Sequence, residues 1–150
     1  EKPYSISIEG EDYSINYEPG ESNTSMFGGN SNWRGPVWFP TNYLLIESLR
    51  EYYKYYGDDL KLEFPSNSGN KLNLSQIADE ISNRLISIFT TNEQGKRPVN
   101  EGNTLYQDPH FKDNILFYEY FHGDNSRGVG ASHQTGWTGI VAKLINKYKG

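Results

Sequence analysis

The chain has 150 residues, enough for one domain with a core of its own, and a formal net charge of −5. Its basic residues are scattered, which argues against nucleic acid or an anionic membrane surface as a partner. With no cysteine, disulfides, thiolate zinc sites and cysteine nucleophiles are excluded, and a reducing, cytoplasmic setting is the compatible expectation.

In chain order, Tyr4 to Ile8 and Tyr13 to Tyr17 alternate apolar and polar residues, the period of a strand. Glu9-Gly10-Glu11-Asp12 between them reads as a turn, so the spacing predicts a β-hairpin that must pack on something else. Pro19-Gly20 closes it. Glu21 to Asn32 is a loop rich in Ser, Asn and Gly, with Met26-Phe27 as its expected buried anchor. Leu45, Leu49, Tyr52 and Tyr56 fall at helical spacing, with Gly57 placed to end the helix.

Leu74, Ile77, Ala78, Ile81, Leu85, Ile88 and Phe89 form a second amphipathic stripe, with Asn73 and Gln76 spaced as a capping box. Thr91 to Pro109 is polar and irregular, a surface loop. Phe111 to Phe121 is predicted to be a shorter helix, and His122 to Ser132 a Gly-rich connection. Trp137, Ile140, Val141, Leu144, Ile145 and Tyr148 mark a last amphipathic helix. The expected total is four helices, resembling two α-hairpins, joined by long loops, with a β-hairpin in front. Loops this long are usually functional. Two α-hairpins are too few to close around a pocket, and the chain begins at Glu1 rather than Met, so a piece of a longer protein is expected.

The composition carries 12 Tyr, 7 Phe and 3 Trp, and rings with polar tips suit a wet, ligand-lined interior. In Leu116-Phe117-Tyr118-Glu119-Tyr120-Phe121 one carboxylate sits inside a row of aromatic residues. A charge among core-like residues is costly unless paired or given a task. Aromatic faces suit the C–H side of a sugar, and a carboxylate can handle its water and hydroxyls. The plainer alternative is a rim glutamate beside core aromatics.

Trp33-Arg34-Gly35-Pro36-Val37-Trp38 is the second informative stretch. Arg34 offers a rigid fork of donors, and either Trp could stack on a sugar or on the guanidinium. The alternative is an arginine pinned between rings at a helix start.

His110, His122 and His133 lack the spacing of a metal site, and the loop after Asp124 lacks a closing glutamate, since Thr135 stands there. Gly128-Val129-Gly130 follows no predicted strand and is no phosphate cradle. No Gly-x-Ser-x-Gly elbow is present. Neither metal nor cofactor is expected. The sequons at Asn23 and Asn73 are short enough to arise by chance.

Taken in order, Phe27-Gly28-Gly29-Asn30-Ser31-Asn32-Trp33-Arg34-Gly35-Pro36-Val37-Trp38, then Phe117-Tyr118-Glu119-Tyr120, then Gly130-Ala131-Ser132-His133-Gln134-Thr135-Gly136-Trp137-Thr138-Gly139 resemble one family. The resemblance is to the C-terminal part of glycoside hydrolase family 63 catalytic domains. These include processing α-glucosidase I-like, bacterial glucosidase-like and mannosylglycerate hydrolase-like enzymes. It runs from about Met26 to the end of the chain.

The resemblance implies the C-terminal portion of an (α/α)6 barrel, hydrolysis of an α-glycosidic bond with inversion, and Glu119 as general base. Tyr120 directly after Glu119 departs from the family's Tyr-Glu-Gln-Tyr-like segment. Trp33, Arg34, Trp38, Tyr118, His133, Gln134 and Trp137 are the implied sugar contacts. The family's general acid is an Asp upstream of this region, so the chain alone is expected to be inactive. Its implied partners are a carbohydrate substrate and the remainder of the parent domain. Two other classes stay open from the residues themselves: a non-catalytic carbohydrate-binding module and a helical interaction domain with an aromatic core.

Overall fold

The computed structural model describes residues 2–23 and 33–147, with the backbone alone for Lys147. Met26-Phe27, the start of the Trp-Arg-Gly-Pro motif before Trp33, and Tyr148 lie outside the described residues.

The hairpin forms as expected, with β1 (Tyr4–Ile8) antiparallel to β2 (Glu11–Ile15) and Tyr4 opposite Ile15. Its turn is tighter than the polar run suggests. Glu9 and Gly10 both take positive φ, 55° and 87°, the two-residue geometry that matches strand twist. The hairpin does not find the expected cover among the described residues: Tyr4, Ile6 and Ile8 are all exposed.

Helix α1 (Phe39–Tyr56) starts where Trp38 O accepts from the Asn42 N–H, the Thr41 hydroxyl and the Asn42 side-chain amide. It ends at Gly57, whose positive φ would strain any other residue. Its core face differs from the predicted stripe. Phe39 and Ile46 are fully buried, Tyr43 and Leu49 half-buried, while Leu45, Tyr52 and Tyr56 are exposed. Apolar residues occur on every side of this helix, so spacing alone chose the wrong face.

A small hairpin, β3 (Lys61–Glu63) with β4 (Lys71–Asn73), delivers the chain into α2 (Leu74–Ser87). The capping box is formed: the Gln76 N–H donates to Asn73 Oδ1 at 2.8 Å and the Asn73 N–H to Gln76 Oε1 at 2.9 Å. Helices α1 and α2 pack together through Phe39, Ile46, Ala78, Leu85, Ile88 and Phe89. Burying each large apolar side chain contributes about 1.5–3 kcal/mol.

The polar stretch after α2 is irregular, as expected, but it is pinned. Val99, in the first of two 3-10 turns (Pro98–Asn100 and Thr104–Gln107), is buried, and its N–H donates to Ile88 O at 3.0 Å.

The predicted helix from Phe111 to Phe121 does not exist. Its C-terminal half is extended and ends in β5 (Tyr120–Phe121), which pairs with β6 (Gly128–Val129). Val37 and Phe121 exchange both backbone hydrogen bonds, at 2.8 and 3.0 Å, and the Glu119 N–H donates to Ala131 O. A run of aromatic residues has no period of its own, and here distant backbone partners favour the extended form. The last helix is divided at Gly139 into α3 (Thr135–Thr138) and α4 (Val141–Lys147).

These differences overturn the expected architecture. The described residues hold one pair of long helices, two short helices and three two-stranded antiparallel sheets. They do not form the C-terminal portion of an (α/α)6 barrel.

Candidate functional site

Four backbone segments converge around β5. Residues 17–20 lie against 34–37 and 122–123, close enough that a Cβ on Gly35 would stand 2.4 Å from Glu18 O, and one on Gly123 2.4 Å from Gly35 O. The Gly123 N–H donates to Pro19 O, and the Tyr17 hydroxyl to Asp124 Oδ1 at 2.9 Å. On the other side, Phe117 bridges His133 and the Gln134 N–H donates to Phe117 O at 2.7 Å. Segments far apart in sequence thus hold Tyr118, Glu119 and Tyr120 from both edges.

Three rings stack in sequence above this platform. Trp33 lies on Trp38 with centroids 3.9 Å apart, and Trp38 on Tyr120 at 4.5 Å. Trp137 meets Trp38 edge-on at 6.4 Å, and its indole N–H donates to Glu119 O at 3.0 Å. Trp38 and Tyr120 are buried, while Trp33 is 60% exposed and presents the open end of the stack. Aromatic faces in such a row suit the C–H side of a sugar ring.

Arg34 does not present its whole fork to the outside. Its Nη2 lies 2.5 Å from Glu18 Oε2 and donates to Ser22 Oγ at 3.2 Å. Glu119 is half-buried. Its Oε2 faces the Ala131 N–H at 3.4 Å and lies over the backbone of Gly130. Burial, with the negative charges of Glu21 and Glu119, pushes the Tyr120 phenol up to about 12. Tyr120 therefore keeps its proton at neutral pH.

An open cleft of about 1020 Å³ adjoins this region, lined among others by Tyr17, Glu18, Glu21, Tyr118, His122 and Gly130. Of the sequence-predicted site residues, Tyr118 is the one in its wall. The structure thus gathers Trp33, Trp38, Trp137 and Glu119 around Tyr120, with Tyr118 on the cleft side. His133 pairs with Phe117 in an isolated bridge, through the Gln134 N–H bond to Phe117 O, and Gln134 O starts α3. Among the described residues, no three His, Asp or Glu side chains are grouped to hold a metal ion. No helix of the described residues is long and apolar enough to cross a membrane.

Sequence reasoning missed Glu18, Tyr120 and Thr138. Glu18 is a buried acid in a segment with no period to mark it. Tyr120 stood in the aromatic row as an unassigned neighbour of Glu119. Thr138 is buried, and its hydroxyl donates to Tyr118 O. The one signal for it is its place in the Thr-Gly-Trp-Thr run.

Comparison with known proteins gives a distant glucosidase relationship. No family model matches the chain. It is 50% identical over 147 residues, 96% of its length, to the uncharacterized protein YMR196W of Saccharomyces cerevisiae, of which it spans 14%. It is 27% identical over 124 residues, 81% of its length, to mannosyl-oligosaccharide glucosidase of the same yeast, of which it spans 12%.

Proposed function

We propose that this chain supplies the general base, Glu119, and part of the sugar-holding surface of an inverting glycoside hydrolase acting on α-glycosidic bonds. The observation that carries this reading is the half-buried Glu119 carboxylate beside the Trp33–Trp38–Tyr120 stack. The distant likeness to a glucosidase supports it.

In this reading Glu119 draws a proton from water as that water attacks the anomeric carbon. A second carboxyl, about 6.5–9.5 Å away, protonates the leaving oxygen. In this reading that acid lies elsewhere in a longer catalytic domain; the chain spans 14% and 12% of the two yeast proteins it is similar to. Trp33 lines the sugar site, with the buried Trp38 behind it and Arg34, Tyr118, His133, Gln134 and Trp137 as further contacts. The substrate is an α-glucoside or a glycosylglycerate.

The test is anomer release, followed by NMR, from α-glucosides and glycosylglycerates with the full-length protein. Glu119→Gln should lower kcat about 100- to 10,000-fold while sugar binding persists. Full activity in that variant would remove Glu119 from the chemistry. Sugar binding without turnover in the wild-type protein would instead make this a binding module.

A further inference from the structure

The run Gly128-Val129-Gly130, β6 and the residue after it, sets two glycines, two residues apart, against Tyr118 and Glu119. Val129 packs with Trp38 and Tyr120, and Gly128 and Gly130 line the cleft on either side of it. A Cβ on Gly128 would stand 2.2 Å from Tyr118 Cδ2. One on Gly130 would stand 2.7 Å from Glu119 Oε2 and 2.8 Å from Tyr120 Cε1. Neither distance can be tolerated without movement. Gly130 also takes a φ of +73°, which aims the Ala131 N–H at Glu119 Oε2, 3.4 Å away.

We infer that Gly130 is a positioning residue for Glu119, and that the Gly128–Gly130 segment is the surface against which Tyr118 and the Glu119 carboxylate are set. This rests on the proposed role of Glu119. The bare backbone leaves the carboxylate room at Gly130, and the Ala131 N–H gives it a donor to lie against. A base held this way spends no part of each cycle finding its orientation.

The experiment uses the full-length protein with three variants beside wild type. Gly130→Ala adds the methyl group that meets Glu119 Oε2. Gly69→Ala, in the β3–β4 loop, carries the same backbone strain, φ +76°, with nothing within 4 Å of the added atom. Ala131→Pro removes the N–H that faces the carboxylate and stands in if Gly130→Ala does not fold.

Gly130→Ala should lower kcat on the order of 100-fold with KM held within about twofold, while Gly69→Ala keeps wild-type kinetics. Ala131→Pro should likewise lower kcat with KM held, because the carboxylate loses the backbone donor it lies against. If Glu119→Gln is inactive but Gly130→Ala and Ala131→Pro keep wild-type kcat, this inference alone is overturned. If Glu119→Gln stays active, the catalytic reading itself has failed and takes this one with it.

Discussion

Arg34 and Glu18 form a close ion pair, Nη2 to Oε2 at 2.5 Å, with side chains 17% and 6% exposed. The pair ties the segment after the hairpin to the turn that carries Trp33 and Trp38. Removing one partner of a largely buried ion pair typically costs about 3–5 kcal/mol. Because Arg34 keeps some access to water, Glu18→Ala should cost about 3 kcal/mol in urea unfolding. The Trp near-ultraviolet dichroism should weaken in the same variant. An unchanged midpoint would show that the pair adds nothing to the platform.

Trp33 and Trp38 share one stack but not one role. Trp38 is 4% exposed and Trp33 60%. Trp38→Ala should therefore cost about 3–5 kcal/mol, the usual penalty for emptying a large buried ring. Trp33→Ala should cost under about 1 kcal/mol of stability, a single stacked ring's contribution, while weakening sugar binding. Calorimetric titration and chemical unfolding of both variants separate the two effects. Equal stability losses would place Trp33 in the core.

What could be read from the sequence follows from how local each determinant is. The α2 stripe and its Asn73–Gln76 box are set within a few residues, and both are present. The β1–β2 hairpin was equally local. The segment around Glu119 was not, because its partners, Val37 on one edge and Ala131 on the other, are named nowhere near it. Its aromatic row fits strand or core helix equally well, and tertiary pairing decided. The same holds for α1, where Ile46 rather than Leu45 faces the core because α2 lies on that side. Trp33, Trp38 and Trp137 were legible as a group through their motifs, whereas Glu18 became meaningful only beside Arg34.

Asn73 shows why a sequon needs a structure. It is 8% exposed, accepts the Gln76 N–H and donates from Nδ2 to Asp58 Oδ1 at 2.6 Å. A glycan on Nδ2 would have to displace the Asp58 contact from this largely buried side chain, so secretion through a glycosylating host should leave Asn73 bare, as intact-mass analysis would show. Asn73→Ala should cost about 1–2 kcal/mol, a lost N-cap with a second hydrogen bond. A loss below a few tenths would mean the box is not formed in solution.

Tyr120 couples the site to alkaline pH. Burial, then the charges of Glu21 and Glu119, holds its phenol at about 12, against 10.0 when unfolded. The neutral form is thus favoured in the folded state. Below pH 10 both states keep the proton and this contribution to stability is fully present. Between about pH 10 and 12 the unfolded chain ionises first, so stability falls with rising pH, by about 2–3 kcal/mol across the window. Urea midpoints at pH 9 and pH 11.5, compared between wild type and Tyr120→Phe, isolate the tyrosine. The Phe variant should lose less stability over that interval, and phenolate absorbance should show one titration fewer near pH 12. Identical slopes in the two proteins would mean that Tyr120 titrates as an ordinary phenol.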